Sequence, residues 1–347
     1  MSLKNLNAEN KIHKFFELKL KDKKLNSIFK KFEDKISLYD NFAVAVSGGP
    51  DSLALSFLSK LYSVKNGTKV NFYIVDHKLR ANSSKEADYV NSLLKKIFVR
   101  AKILKWHGKK PIKNIQAVAR DNRYNLLFKE CRKKDIRNIL VGHHQNDVLE
   151  NFMIRLVRGS GLRGLVSLEE QKLDINFNIF RPLINFDKKD LIYISKKIFS
   201  EYVKDPSNYD ENFKRVKIRN LIQKLEKEGL DKKKFLLTIN NLKRSNHAIR
   251  IYVNNNIQKN CFFSKKRNII IISLDFFKAP DEIIFRSLSE CLKKIGGNYY
   301  YVRGKKLSQI IERILRNNNF KGTLGGCVIK KLNQTVIISK ESRYFLQ

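Results

Sequence analysis

The chain has 347 residues, enough for two or three domains with substantial apolar cores. Its 71 Lys/Arg against 33 Asp/Glu give a formal net charge of +38, which points to a polyanionic partner, most commonly nucleic acid. Four scattered cysteines with no C-x-x-C pair suggest neither a structural zinc nor an iron–sulfur site, and no apolar run is long enough to span a bilayer.

Lys, Asn and Ile are abundant throughout, so compositional drift competes with function as the source of the charge. Where the charge sits therefore says more than its total. The first residues, MSLKNLNAENKIHKFF, have no apolar h-region and no small-residue cleavage site. Single cysteines suit a reducing compartment. The expectation is a cytoplasmic protein with no membrane partner.

Residues 1–40 read as polar helical material leading into a first strand, FAVAV (42–46). Three more strand-like runs follow: KVNFYIVDH (69–77), RAKILKW (100–106) and IRNILVGHH (136–144). Helical patterns lie between them, at Ser52–Val64, Lys85–Phe98 and Ile115–Arg132, the last with Asn114 as its cap. Strands alternating with helices predict an α/β fold, a Rossmann-like parallel sheet covered on both faces. Ligands of such sheets bind at the carboxyl ends of the strands. The chemically suggestive residues sit there: 47–52, 76–80 and 143–147.

After Arg181-Pro182-Leu183 the pattern changes. A helix is expected over 187–204, then a loop, KDPSNYDENFKRVKIRN (204–220), entering another helix. Residues 231–347 hold 24 Lys/Arg against 7 Asp/Glu. They begin as helix and continue into strand-like runs at Asn268–Leu274 and Thr335–Ser339. The expected division is a helical lead-in (1–40), a catalytic domain (41–215), and a basic nucleic-acid-binding region (216–347) made of a helical linker and a small mixed α/β domain.

The stretch Ser47-Gly48-Gly49-Pro50-Asp51-Ser52 joins the first strand to a helix. Two glycines let backbone N–H groups approach an anion closely, and the serines add hydroxyl donors. The helix starting near Pro50 aims its unpaired N–H groups and positive dipole end at the same point. Asp51 would repel phosphate unless Mg²⁺ lay between them, so a metal-bound polyphosphate is expected. The Walker A pattern is absent, which argues against γ-phosphate transfer.

Gly159-Ser160-Gly161-Leu162-Arg163-Gly164 matches G-x-G-x-x-G, but it follows the helical pattern 147–158 rather than a strand, so it reads as a helix end and loop. His143 and His144 end the fourth strand. Consecutive strand residues face opposite ways, so the two are not expected to share a metal. Asp147 and Glu150 lie near a helix N-terminus, where capping and dipole compensation compete with catalysis. Asp147 is a candidate second Mg²⁺ contact or general base. Arg155 and Arg158 share a helix face and are either nucleic-acid or phosphate contacts or solvated charges. Arg120 and Arg123 lie on one side of the helix from Ile115, with surface ion pairs to Asp121 or Glu130 as the plain alternative. Asp76, His77 and Arg80 end the second strand, where a base or ribose would lie.

SGGPDS resembles the PP-loop signature S-G-G-x-D-S of the N-type ATP pyrophosphatases. Together with VDHKLR (75–80), NIQAVARDNRY (114–124), GHHQNDVLENFMIRLVRGSG (142–161), RPL (181–183) and DPSN…RVKIRN (205–220), it is similar to the tRNA(Ile)-lysidine synthetase family. The likeness is strong over about residues 42–220. It weakens beyond, where KGTLGGCVIKK and SKESR resemble the family's C-terminal region.

The resemblance implies a ligase that attaches L-lysine to carbon 2 of the wobble cytidine of a tRNA(Ile) bearing a CAU anticodon, changing codon reading from AUG to AUA. ATP and Mg²⁺ are the implied cofactors, and a homodimer is compatible with it. It assigns Ser47, Gly48, Gly49, Pro50, Asp51, Ser52, Asp76 and Arg120 to ATP, and Asp51 and Asp147 to the metal. Asp51, Asp147, Glu150 and Arg123 become the catalytic set, with Asp147 and then Glu150 as base. Arg155, Arg158, Arg215 and Arg219 become tRNA contacts. One departure is Val216, where Asn is usual. Competing readings are a tRNA thiolase, disfavoured by the missing paired cysteines; a basic RNA-binding protein with a vestigial ATP site; and a small-molecule amidotransferase-type synthetase.

Overall fold

The computed structural model describes residues 3–80, 82–108, 111, 115–168, 177–203, 210–297 and 301–341. The chain divides into two compact units, residues 1–237 and 238–347.

The first unit is built on β1 (Asn41–Val46), β2 (Lys69–Asp76), β3 (Lys102–Lys105), β4 (Asn138–Leu140) and β5 (Asn178–Phe180). They form one sheet in the order β3-β2-β1-β4-β5, and every pairing is parallel. Alternation along the strands explains the two covered faces. On β1, Phe42, Val44 and Val46 enter one apolar cluster, while Ala43 and Ala45 belong to the other. Phe72 and Ile74 on β2 follow the first set, and Tyr73 and Val75 the second.

The first cluster is closed by α1 (Leu3–Leu20), α2 (Lys23–Ile36), α3 (Pro50–Asn66), α4 (Ser83–Lys95) and α8 (Lys188–Phe199). The N-terminal helices are thus more than polar lead-in. Leu25, Ile28, Phe29, Phe32 and Ile36 of α2 recur at helical spacing and are all buried. Asp22 caps α2 by accepting from Leu25 N (2.8 Å), and it also accepts from Tyr193 Oη of α8 (2.5 Å). The opposite face is covered by α5 (Ile115–Lys133), through Tyr124, Leu127, Phe128 and Cys131. The expected cap of α5, Asn114, lies outside the described residues.

The order of strands matters most for function. The chain steps from β1 to β2 and β3 on one side, then returns to β4 and β5 on the other. The crevice above the carboxyl ends of β1 and β4 is therefore the topological switch point, where such sheets bind ligands. It is flanked by α6 (Gln145–Leu156), the short α7 (Leu162–Leu165) and α9 (Lys214–Lys227), with α9 packed on α6.

The helix α10 (Lys232–Asn260) runs across the division between the units. The second unit continues with β6 (Cys261–Ser264), β7 (Ile269–Ser273), α11 (Asp281–Gly296), α12 (Gly304–Arg316), β8 (Asn319–Leu324), β9 (Cys327–Leu332) and β10 (Thr335–Lys340). Its strands form an antiparallel sheet in the order β6-β7-β10-β9-β8. Leu307, Ile310 and Ile314 turn one stripe of α12 into the core, and Lys305, Lys306, Arg313 and Arg316 stay exposed. Among the described residues no helix is long and apolar enough to cross a membrane.

Candidate active site

Ser47 leaves β1, Gly49 caps α3, and Pro50 occupies the first turn of that helix, whose free N–H groups face the loop. Gly48 has φ +83°, and a Cβ there would lie 2.3 Å from Val90 Cγ2, so only glycine fits. Its carbonyl accepts from Val203 N (3.0 Å). Gly49 has open space where a Cβ would be, which leaves its backbone accessible to an anion. Ser52 is buried and holds the loop together: its Oγ accepts from Ser47 N (3.2 Å) and donates to the Gly49 carbonyl (3.0 Å). On the other side of the switch point, Gly142 meets the first turn of α3. A Cβ on it would stand 3.1 Å from the Asp51 carbonyl and Ser52 N.

A chain of charged groups starts at Asp51. His144 caps α6: its Nδ1 accepts from Asn146 N (3.2 Å), so the ring proton of the neutral form is on Nε2. That nitrogen lies 3.5 Å from Asp51 Oδ2 and 3.6 Å from Asp147 Oδ2. Asp147 completes a capping box by accepting from His144 N (2.9 Å). Its other oxygen accepts from Arg215 Nη2. Glu150, one turn on, is buried; Oε2 accepts from Arg215 Nε (2.6 Å) and Oε1 from Arg219 Nε (2.8 Å). Arg215 and Arg219 are four apart on α9 and so share a face. Val216 between them is buried in apolar packing.

Burial raises the Asp147 carboxyl, but Arg215, His144 and His143 outweigh it and hold the group down at about 2. Burial works against the His144 imidazolium as well, yet Asp51 and Asp147 raise its pKa above the ordinary value. His143 turns the other way, with Nδ1 accepting from Arg181 Nε (3.0 Å); burial lowers it to about 3 and keeps it neutral.

Asp76, His77 and Arg123 form a second group at the end of β2. Asp76 is buried and holds its own loop, accepting from Lys78 N (3.0 Å), Ser83 Oγ (2.7 Å) and Ser84 Oγ (2.6 Å). Burial opposes its ionisation, while the two serines and Lys78 bring its pKa below the ordinary value. His77, lowered to about 4 by burial and by Arg123, accepts from Arg123 Nε (3.4 Å). Arg120 lies over the Tyr124 ring, 5.1 Å from its centroid. Glu130, an expected ion-pair partner of these arginines, instead pairs with Lys102 (2.6 Å).

Arg155, in the last turn of α6, and Arg158, just beyond that helix, belong to neither group. Arg155 Nε is buried with no hydrogen-bond partner. Gly159, with φ +69°, turns the chain after α6, and Gly161 precedes α7. The G-x-G-x-x-G match is thus a helix end and loop. The DPSN stretch lies outside the described residues.

Asp51, Asp147, Glu150, Arg215 and Arg219 are therefore brought into one constellation. His144 and Gly142 were missed as its joints. The signal for His144 was its position three residues before Asp147, the spacing of a capping box. Among the described residues no group of three or more His, Cys, Asp or Glu makes a self-contained cation cage. Mg²⁺ does not require one, since it uses one or two carboxylates with substrate phosphates and water. Asp51 Oδ1, buried without a hydrogen-bond partner, fits such an ion.

Two consequences can be measured. Gly48→Ala is expected to cost about 1–3 kcal/mol of stability and to weaken ATP binding roughly tenfold or more. Calorimetric titration checks this, and unchanged affinity would contradict the cradle. Asp76→Asn is expected to cost about 1–3 kcal/mol. Because the folded pKa is depressed, the wild-type contribution is present above the unfolded carboxyl value of about 3.9 and fades as pH falls further. Denaturant melts from pH 6 down to roughly pH 2 should therefore converge for the two proteins.

A family model described as a PP-loop domain matches residues 19–226. A tRNA(Ile)-lysidine synthase of Wolbachia pipientis wMel is 33% identical over 323 residues, covering 92% of this chain and 75% of the relative. One from Orientia tsutsugamushi (strain Boryong) is 35% identical over 310 residues, covering 86% and 69%. Among solved structures, the U34-tRNA thiolase NcsA from Methanococcus maripaludis with its [4Fe-4S] cluster aligns with a TM-score of 0.54 at 18% identity, covering 65% of this chain and 80% of that one. That likeness speaks to the fold alone. With the PP-loop match over more than half of its length and relatives above 30% identity along most of it, the chain belongs to the tRNA(Ile)-lysidine synthase family, ATP-dependent ligases carrying a PP-loop domain.

Proposed function

We propose that this chain ligates L-lysine to carbon 2 of the wobble cytidine of a tRNA(Ile) with a CAU anticodon. The cytosine 2-carbonyl oxygen attacks the α-phosphate of ATP and expels pyrophosphate. The ε-amine of lysine then attacks carbon 2 and expels AMP. The observation that carries this reading is the cradle Ser47–Ser52 at the switch point, joined through His144 to the carboxylates and arginines of α6 and α9.

The N–H groups of the loop and of the first turn of α3 are directed at the departing pyrophosphate. Asp51, with Asp147 as second contact, would hold Mg²⁺, which neutralises charge on the phosphates when bound. A carboxylate held at about 2 stays ionised for a metal but is a weak proton acceptor. Arg215 and Arg219 are also the expected tRNA contacts. Phosphates drawing these guanidinium groups away would free Asp147, where it does not hold the metal, and otherwise Glu150, to take the lysine proton. Arg123 and Arg120 steady the adenylate, and Arg155 with Arg158 meets tRNA phosphates. The target base must leave its loop to reach the crevice, as in other base-modifying enzymes.

Purified protein is expected to join radiolabelled lysine to CAU-anticodon tRNA(Ile), dependent on ATP and Mg²⁺. Asp51→Ala should lower this on the order of a hundredfold or more while tRNA binding stays nearly unchanged. No incorporation alongside positive thiolation would overturn the reading. Equal loss of chemistry and tRNA binding in Asp51→Ala would overturn the role of that residue.

A further inference from the structure

The four cysteines look unrelated in sequence, yet the second unit brings two of them together. Cys261 Sγ, on the first residue of β6, lies 3.9 Å from Cys291 Sγ on α11. Both are free thiols. Their surroundings differ in a way that matters for reactivity. Cys291 is buried in the core beside Leu288, Leu292 and Ile295, while Cys261 is half-buried at the edge strand of the sheet. Lys294, one turn on from Cys291, places its ammonium over the Phe263 ring, 4.0 Å from the centroid. The hydrogen bond from Cys291 and the charge of Lys294 favour the Cys261 thiolate, against the opposing effect of burial. The other two thiols have no such setting. Burial pushes Cys131 up to about 12 and Cys327 up to about 11, and Cys327 Sγ donates to the Leu292 carbonyl (3.3 Å).

We propose that Cys261 and Cys291 are a peroxide-reactive thiol pair, with Cys261 as the attacking and Cys291 as the resolving cysteine. The Cys261 sulfur attacks one oxygen of hydrogen peroxide; the O–O bond breaks, a sulfenic acid forms, and the leaving hydroxide takes a proton to become water. The Cys291 sulfur then attacks the sulfenic sulfur. An S–S bond forms, and hydroxide leaves with the Cys291 proton as a second water. Two thiols lose two electrons in all, and one peroxide is reduced to two waters. Bond formation brings the two sulfurs from 3.9 Å to a covalent S–S distance of about 2.05 Å. The bond fastens the residue that follows α10 to α11 within the second unit.

The experiment uses the reduced full chain and hydrogen peroxide. After brief exposure at neutral pH, catalase ends the reaction, free thiols are alkylated under denaturing conditions, and peptides are mapped without reductant. The expected product is a Cys261–Cys291 cross-linked peptide two hydrogens lighter than its parts, with Cys131 and Cys327 alkylated. Cys291→Ser should strand a sulfenic acid on Cys261 that dimedone captures, and Cys261→Ser should leave Cys291 alkylated. Recovery of both Cys261 and Cys291 in alkylated form from the wild type would overturn the proposal. So would oxidation of Cys131 or Cys327 at the same rate. The wild-type map decides the matter even if the Cys291→Ser variant fails to fold.

Discussion

One line of charge organises the catalytic unit: Asp51, His144, Asp147, Arg215, Glu150 and Arg219, each within ion-pair distance of the next. Three acids this close to one another are tolerable only because an imidazole and two guanidinium groups lie between and beside them. Glu150 is nearly inaccessible, so stripping it of its arginines would leave a buried charge uncompensated, typically at about 3–5 kcal/mol. The same constraint fixes geometry. It sets the register of α6 through the capping box, ties α9 to it, and links α6 through His144 to Asp51 of the cradle. A site assembled this way carries a fixed negative edge, Asp51 and Asp147, beside the guanidinium groups of Arg215 and Arg219.

The sheet supplies the scaffold for that line. Two backbones must nearly touch where β4 leaves the sheet beside the first turn of α3, and Gly142 permits the approach. Gly48 instead leaves room for the Val90 and Val203 side chains against the loop. The cores on either face are conventional, filled by alternating residues of the strands, and their task is to hold these two glycine positions still. Rigid backbone N–H groups stabilise developing charge better than mobile ones, because they need no reorganisation during the reaction.

Much of this was legible in the sequence, for identifiable reasons. The alternation of strands and helices was visible because β1, β2 and β4 lie in short runs rich in aliphatic and aromatic residues, separated by helical patterns. SGGPDS was readable because a phosphate cradle needs those residue types in that order. The three-residue β5 was not, since Ile179 and Phe180 stand between Asn178 and Arg181, whereas β4, equally short, lies in the apolar run Ile139-Leu140-Val141. Nor was the pairing of Glu150 with Arg215 and Arg219, which depends on α9 packing against α6 across a long stretch of chain. Asp147 shows why competing readings can coexist: it caps its helix and belongs to the charged cluster at once. The cysteines gave the opposite lesson, because separation along the chain concealed a contact that the second sheet creates.

The central claim is that the nucleophile on ATP is a base of the tRNA. The most direct measurement is transfer of label from ATP marked at its α-phosphate, with tRNA present and lysine withheld. Label should move onto CAU-anticodon tRNA with matching release of pyrophosphate, and leave as AMP when lysine is added. Pyrophosphate release that needs lysine but no tRNA, or label that never reaches the RNA, would contradict the account.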